Sequence, residues 1–260
     1  MPVLVTVEKA GSHKFLRWHI ARPERLNAIG PTIVKELSEA LNSVKMDPVQ
    51  GVRALVISAE TVSTNDRRIW VAGGDLRELS DFATKDEALV YAKSMHSICR
   101  DLELLPVPVF SFVDGAAIGG GAELALAADI RFGTPESSFE WKQLAIGLAT
   151  GYGAASRLCQ LVGKARAQRL LYFCESISHS QALDIGVLHR VVEDFEGLRK
   201  AVANIAKLDP LALATQKRMF HLATTSSGGD STWADDLFKD LWRNPSHAKA
   251  LEDFQVRTSS

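Results

Sequence analysis

Asp114-Gly115-Ala116-Ala117-Ile118-Gly119-Gly120-Gly121-Ala122-Glu123-Leu124-Ala125-Leu126 is the stretch that decides the fold. It follows Val107–Val113, a continuous apolar run of strand length, and passes through a glycine triplet into a run of strong helix formers. A strand, a glycine turn and a helix in immediate succession mark an α/β architecture. The helix start offers unpaired N–H groups and a partial positive charge, which suit an oxygen that becomes negative during a reaction. Glu123 stands three residues after Gly120, so one helical turn brings its carboxylate beside the group whose carbonyl Gly120 would hold. Two readings of Glu123 follow. It is a general acid/base next to a polarised carbonyl, or it complements the helix dipole while the glycines allow close packing.

A second glycine turn lies upstream. Ile69-Trp70-Val71-Ala72-Gly73-Gly74-Asp75-Leu76 is an apolar run that ends in two glycines, an acidic residue and the start of a helix. Glycines there let amide N–H groups point at a ligand instead of into a sheet. If the two turns face each other, one N–H from each can grip a single carbonyl oxygen.

Outward from these turns, Val52–Ser58 is another continuous apolar run, and the helix-like stretch Asp86–Leu105 separates it from Val107–Val113. Such strands with helices between them predict a sheet covered on its faces by helices. Val3–Glu8 and Lys14–Ile20, divided by Gly11-Ser12, read as a hairpin, and Pro31–Met46 reads as an amphipathic helix. Beyond about residue 150 the β signal fades, and Ala154–Val162, Ala165–Cys174, Ser178–Ile185, Gly197–Lys207 and Pro210–Thr225 read as helices. The chain reads as an α/β core with a helical tail. Ser226-Ser227-Gly228-Gly229-Asp230 reads as a loop and hinge, with Asp230 or Ser231 capping the next helix. No long Pro/Ser linker, charge block or internal repeat interrupts the chain.

Composition narrows the function. In 260 residues, 30 Lys and Arg face 31 Asp and Glu, a formal charge of -1 that draws the chain to neither nucleic acid nor an anionic membrane. The longest apolar runs, such as Leu104–Val113, stop far short of the roughly 20 residues of a membrane helix. The start, Met1-Pro2-Val3-Leu4-Val5, has no basic segment before an apolar one and no cleavage site, so an unprocessed cytoplasmic protein is expected. Cys99, Cys159 and Cys174, without CxxC spacing, read as reduced thiols. There is no GxSxG, HExxH or GxxxxGK[ST], and no histidine pair at i, i+4, so metal-free chemistry is expected. Gly151-Tyr152-Gly153-Ala154-Ala155-Ser156 partly imitates a dinucleotide loop, but no convincing strand precedes it and its third position is Ser.

Four segments, in order, resemble the enoyl-CoA hydratase/isomerase, or crotonase, superfamily over about residues 3 to 225. Arg22-Pro23-Glu24-Arg25-Leu26-Asn27-Ala28 resembles its RPxxxNA segment, and Trp70-Val71-Ala72-Gly73-Gly74-Asp75-Leu76 resembles its F-x-A-G-x-D-[LI] turn. Gly119-Gly120-Gly121-Ala122-Glu123-Leu124 with Ala128-Asp129 matches GGGxEL…xD. Val162-Gly163-Lys164-Ala165, Ala182, Gly186-Val187-Leu188 and Val191-Val192 match the VGxxxA…A…GLVxxVV ending. The resemblance implies a core of repeated ββα turns, about residues 1–195, and a helical C-terminal trimerisation region, about 196–260. It further implies an acyl-CoA thioester substrate, no cofactor beyond the coenzyme A that the substrate carries, and assembly as a homotrimer or dimer of trimers. The N–H groups of Gly74 and Gly120 would form the oxyanion hole. Arg25, Leu26, Ala72, Asp75 and Leu76 fall in the substrate-binding segments, where Arg25 would meet a CoA phosphate or remain a solvated loop charge.

The departures are as informative. Family hydratases carry a second glutamate in an F-x-x-P-E-x-x-x-G segment, which here reads Phe139-Glu140-Trp141-Lys142-Gln143-Leu144-Ala145-Ile146-Gly147. Gln143 takes the glutamate's place, and an amide can orient a water but cannot act as a titratable acid. Glu140 would reach the same place in a helical turn and turn away in an extended segment. Gly151-Tyr152-Gly153 replaces a stretch that usually contains Pro, and Asn244–Ser260 matches the family's last helix poorly. Either an oxyanion-hole enzyme of hydratase or isomerase type, or a non-catalytic acyl-CoA-binding paralogue, fits these residues.

Overall fold

The computed structural model describes residues 1–46, 51–64, 67–225, 232–242 and 244–258. The chain opens with the hairpin β1 (Val3–Ala10) and β2 (His13–Ile20), antiparallel around Gly11, followed by α1 (Pro31–Met46). Three ββα units follow. The first is β3 (Val52–Ala59), β4 (Val62–Thr64), β5 (Arg67–Val71), the single turn α2 (Leu76–Leu79) and α3 (Lys85–Leu104). The second is β6 (Val109–Val113), β7 (Ala116–Ile118) and α4 (Gly120–Leu126). The third is β8 (Ile130–Gly133), β9 (Ser138–Glu140), a 3-10 turn at Gln143–Ile146 and α5 (Ala154–Val162). Then come α6 (Lys164–Tyr172), β10 (Ser176–Ser178), α7 (His179–Asp184), β11 (Arg190–Val191), α8 (Phe195–Ile205), α9 (Pro210–Thr225), α10 (Thr232–Leu241) and α11 (Pro245–Thr258). The expected loop at Ser226–Asp230 and its cap lie outside the described residues.

The strands form two sheets, where the apolar runs alone suggested one. Each ββα unit sends its first strand to one sheet and its second to the other, giving the orders β1-β2-β3-β6-β8-β11 and β10-β9-β7-β5-β4. The strands missed in the sequence, β7, β9, β10 and β11, are two or three residues long. A period-2 pattern cannot declare itself over so few positions. The unbroken apolar character of β3 has a clear cause, since Leu55 and Ile57 enter the main core while Ala54 and Val56 face a second cluster with Phe110, Phe112 and Phe132. Leu198 and Val202 of α8 close that second cluster.

Lys217 anchors α9 to the core. Its Nζ lies 2.6 Å from Asp129 Oδ2 and donates to the carbonyls of Leu102 (2.9 Å) and Val107 (3.0 Å). A buried ammonium is tolerable only with such full pairing. No helix among the described residues is long and apolar enough to cross a membrane.

Candidate active site

Strands β5 and β7 are parallel neighbours, paired at Ile69↔Ala116 and Val71↔Ala117. Both glycine turns therefore leave the same sheet edge at the carboxyl ends of adjacent strands, where ligands of α/β folds gather. The turns touch: Gly73, at φ +97°, sits so close that a Cβ there would lie 2.8 Å from the Ile118 carbonyl oxygen and 3.3 Å from the Gly120 nitrogen. Ile29 brackets the first turn, donating its N–H to the Gly73 carbonyl (2.6 Å) and accepting from the Asp75 N–H (3.0 Å). In the second, Gly119 donates to the Glu140 carbonyl at 2.7 Å. Among the described residues neither the Gly74 nor the Gly120 N–H meets a protein acceptor. Two free donors from adjacent turns are the raw material of an oxyanion hole.

Glu123, in the first turn of α4, is 1% exposed. Its carboxylate lies in a cradle. Oε1 accepts from Gln143 Nε2 (2.8 Å) and the Gly151 N–H (3.2 Å), and Oε2 accepts from the N–H groups of Tyr152 (2.8 Å) and Ala154 (3.1 Å). Four donors fill the four lone-pair positions of a carboxylate. Burial raises the carboxyl pKa above its ordinary value, and the four hydrogen bonds pull against that rise. Gln143, first residue of the 3-10 turn, keeps its Oε1 buried and without a partner.

Glu140 does not stand in for the missing glutamate. It ends β9, and the extended backbone turns its carboxylate to Arg67, Ser176 Oγ (3.1 Å) and Lys142 Nζ (3.6 Å). At the other rim, Asp75 Oδ1 caps α2 through the N–H groups of Arg77 and Glu78, while Oδ2 lies 3.1 Å from Arg22 Nη1 and 4.0 Å from Arg25 Nε. Asp75 thus spends its side chain on the turn that carries Gly74. Leu26, in a left-handed conformation, accepts the Ala72 N–H at 3.1 Å, and Leu76 is exposed beyond the turn. Arg25 retains a buried Nη1 with no acceptor. Asn27, fully buried, ties this rim together by donating to the Glu60 and Trp70 carbonyls and accepting from Arg22 N.

Two residues escaped the sequence reading. Tyr152 presses on Gly120, where a Cβ would fall 2.6 Å from its ring, and its hydroxyl bonds that of Tyr91, which also donates to the Ile29 carbonyl at 2.8 Å. Tyr152 carried one signal, its place in the unusual Gly151-Tyr152-Gly153 stretch. Tyr91 carried none, because at helical spacing it looks like any other core-facing aromatic.

Fold and site define a thioester-handling α/β protein, and the comparisons with known proteins agree. The enoyl-CoA hydratase/isomerase family model matches residues 14–256, and the chain belongs to that family. It is 31% identical over 217 residues to a short-chain-enoyl-CoA hydratase of Clostridium acetobutylicum, covering 82% of this chain and 79% of that protein. It is 30% identical over 202 residues to a crotonyl-CoA hydratase of Syntrophomonas wolfei, covering 76% and 75%. Among solved structures, an enoyl-CoA hydratase of Polaromonas sp. JS666 superposes with a TM-score of 0.86 at 26% identity, covering 98% of this chain and 97% of that one. One from Mycobacterium smegmatis gives 0.88 at 22% identity, covering 99% and 97%, a likeness of fold alone.

Proposed function

We propose that the protein adds water to a 2-enoyl-CoA thioester, with Glu123 as the single carboxylate of the site and Gln143 in place of a second. The observation that carries this reading is the pairing of two free N–H donors, Gly74 and Gly120, with a buried Glu123 whose neighbour Gln143 offers an open acceptor. The thioester oxygen sits between the two N–H groups. A water donates one hydrogen bond to Gln143 Oε1 and gives its other proton to Glu123 as its oxygen bonds Cβ. The electron pair of the double bond moves to form an enolate on the oxyanion hole, and Glu123 returns the proton to Cα. The net change is addition of one water. Because all four lone-pair positions of Glu123 are filled, one donor must yield before it accepts a proton, and the Gly151 N–H, the longest at 3.2 Å, is the one that gives way.

The free Arg25 Nη1 supports a phosphate contact at the nucleotide end of CoA, with Leu26, Ala72, Asp75 and Leu76 forming the rim. An oligomer, most simply a trimer, accounts for a groove of about 990 Å³ whose walls include Leu126, Leu161, Leu208 and Phe220, the last 66% exposed. Sedimentation at micromolar concentration tests this, and a monodisperse monomer contradicts it.

A turnover screen on 2-enoyl-CoA and 3-enoyl-CoA thioesters of several chain lengths tests the reaction. Hydration of a 2-enoyl thioester is expected. Conversion of 3-enoyl thioesters alone moves the reading to double-bond isomerisation, and binding without turnover of either moves it to a binding protein.

A further inference from the structure

We propose that Tyr91 and Tyr152 are positioning residues, a phenol pair that locks the Gly74 turn and the Glu123 cradle into one geometry. The inference rests on the proposed use of Gly74, Gly120 and Glu123 in thioester chemistry. Three segments far apart in sequence meet here: Ile29 before α1, Tyr91 in α3 and Tyr152 before α5. The Ile29 carbonyl takes the Asp75 N–H and the Tyr91 hydroxyl, so it fixes the peptides on either side of Gly74 and is itself held by Tyr91. Tyr152 then joins Tyr91 through its hydroxyl and Glu123 through its backbone N–H at 2.8 Å. A continuous path runs from the Gly74 turn through Ile29, Tyr91 and Tyr152 to Glu123.

The direction of each hydrogen bond follows from the end of the path. A carbonyl can only accept, so Tyr91 gives its proton to Ile29 and Tyr152 must give its own to Tyr91. Tyr152 therefore has no proton left for the thioester oxygen, and the pair acts on the site through placement. Each phenol also backs onto one of the two glycines. A Cβ at Gly120 would lie 2.6 Å from Tyr152 Cε2, and a Cβ at Gly74 would lie 3.6 Å from Tyr91 Oη. The rings meet edge-on with centroids 6.1 Å apart, and Tyr152 is 5% exposed. Burial pushes Tyr91 up to about 12 and Tyr152 well above the usual phenol value, so the link keeps its protons throughout the neutral range.

The test is a cycle of Tyr91→Phe, Tyr152→Phe and the double variant, which keeps both rings and removes only the hydroxyls. Two readouts are taken: kcat and KM for the best enoyl-CoA, and the red shift of bound hexa-2,4-dienoyl-CoA, which reports polarisation of the thioester carbonyl before any chemistry. Small misplacements of a site cost up to about 100-fold. Each single variant should lose about 10- to 100-fold in kcat with little change in KM, and a similar part of the red shift. The double variant should lose no more than the worse single. Should a Phe variant fail to fold, Gly120→Ala serves instead, since it keeps every N–H and displaces the Tyr152 ring. Additive losses, or a red shift that survives in all variants, overturn the positioning role alone. Wild-type protein with neither red shift nor turnover overturns the reading of the two glycines and the positioning role with it.

Discussion

Glu123→Gln replaces one oxygen by an NH2 group at nearly constant volume, in a cradle built of donors. Three of the four donors are main-chain N–H groups and cannot become acceptors. Only Gln143 can adapt, by flipping its amide so that Oε1 accepts from the new NH2. The least costly arrangement therefore leaves the new carbonyl oxygen with Tyr152 and Ala154, turns the NH2 to a flipped Gln143 and abandons the Gly151 N–H, which belongs to an exposed residue and can turn to water. Hydrogen bonds to a charged group contribute about 1.5–3 kcal/mol and neutral ones about 1 kcal/mol. Two such bonds weaken and one is lost, while relief of a buried charge offsets part of this, leaving a net cost of about 1 to 3 kcal/mol. For a chain of this size that lowers Tm by roughly 2 to 10 °C.

The effect on turnover is larger, because the flip removes two functions. The base is gone, and the Gln143 oxygen that held the water now faces Gln at position 123. Loss of general acid–base assistance alone is about 100- to 10,000-fold. Thermal denaturation and initial rates on a short 2-enoyl-CoA measure both effects on one preparation. A folded variant that keeps turnover within tenfold of wild type refutes the assignment of the base. An unchanged Tm refutes the cradle.

Three further outcomes follow from the same geometry. Because burial raises the Glu123 carboxyl, the acid limb of kcat/KM should lie above the ordinary carboxylate range; the same shift means that the folded state binds this proton more tightly than the unfolded one, so stability in denaturant titrations should decline as pH rises from the ordinary carboxylate value to the folded one and then level off. A limb at or below the ordinary value contradicts this. Gln143→Glu would place a second carboxyl about 2.8 Å from Glu123 Oε1, a distance at which two carboxyls share one proton, so the pair should hold an acid and a base together and hydration should rise; a fall in rate is the contrary result. Gly74→Pro removes one N–H of the oxyanion hole and should cost about 100- to 1,000-fold in kcat in a protein that keeps its circular dichroism, while an active folded variant places the hole elsewhere.

The parts of the site that were legible in the sequence are local ones. Gly73-Gly74-Asp75 and Gly119-Gly120-Gly121 declare themselves because tight turns demand glycine, and Glu123 follows Gly120 by one helical turn. The Gln143 substitution was equally plain, and the structure adds that its amide bonds Glu123 directly. What the sequence withheld depends on long-range contact. The split into two sheets hangs on strands of two or three residues, and the Tyr91–Tyr152 contact joins positions 61 residues apart. The direction of Glu140 turned on whether its segment is extended or helical, a choice made by its pairing with β7 and β10 rather than by its own residues.

Gly151-Tyr152-Gly153-Ala154 shows why a helix start cannot be read as a phosphate site from its glycines alone. The N–H groups that such a loop would offer to a phosphate are those of Gly151, Tyr152 and Ala154, and all three are taken by Glu123. The anion that satisfies the start of α5 is a side chain of the chain itself, and the dinucleotide reading fails for want of donors. The start of α4 is in the opposite condition, with the Gly120 N–H still free. Two helix N-termini thus divide the labour on the proposed mechanism. One steadies the negative charge that is present at rest, on Glu123, and the other waits for the charge that appears on the thioester oxygen. When Glu123 takes a proton from water, the α5 donors lose a charged acceptor just as the α4 donor gains one. Burial alone would leave the proton on Glu123, and the four donors oppose it. That opposition drives the proton on to Cα and restores the base, so the cradle that fixes Glu123 also makes it a poor resting place for the proton it must return.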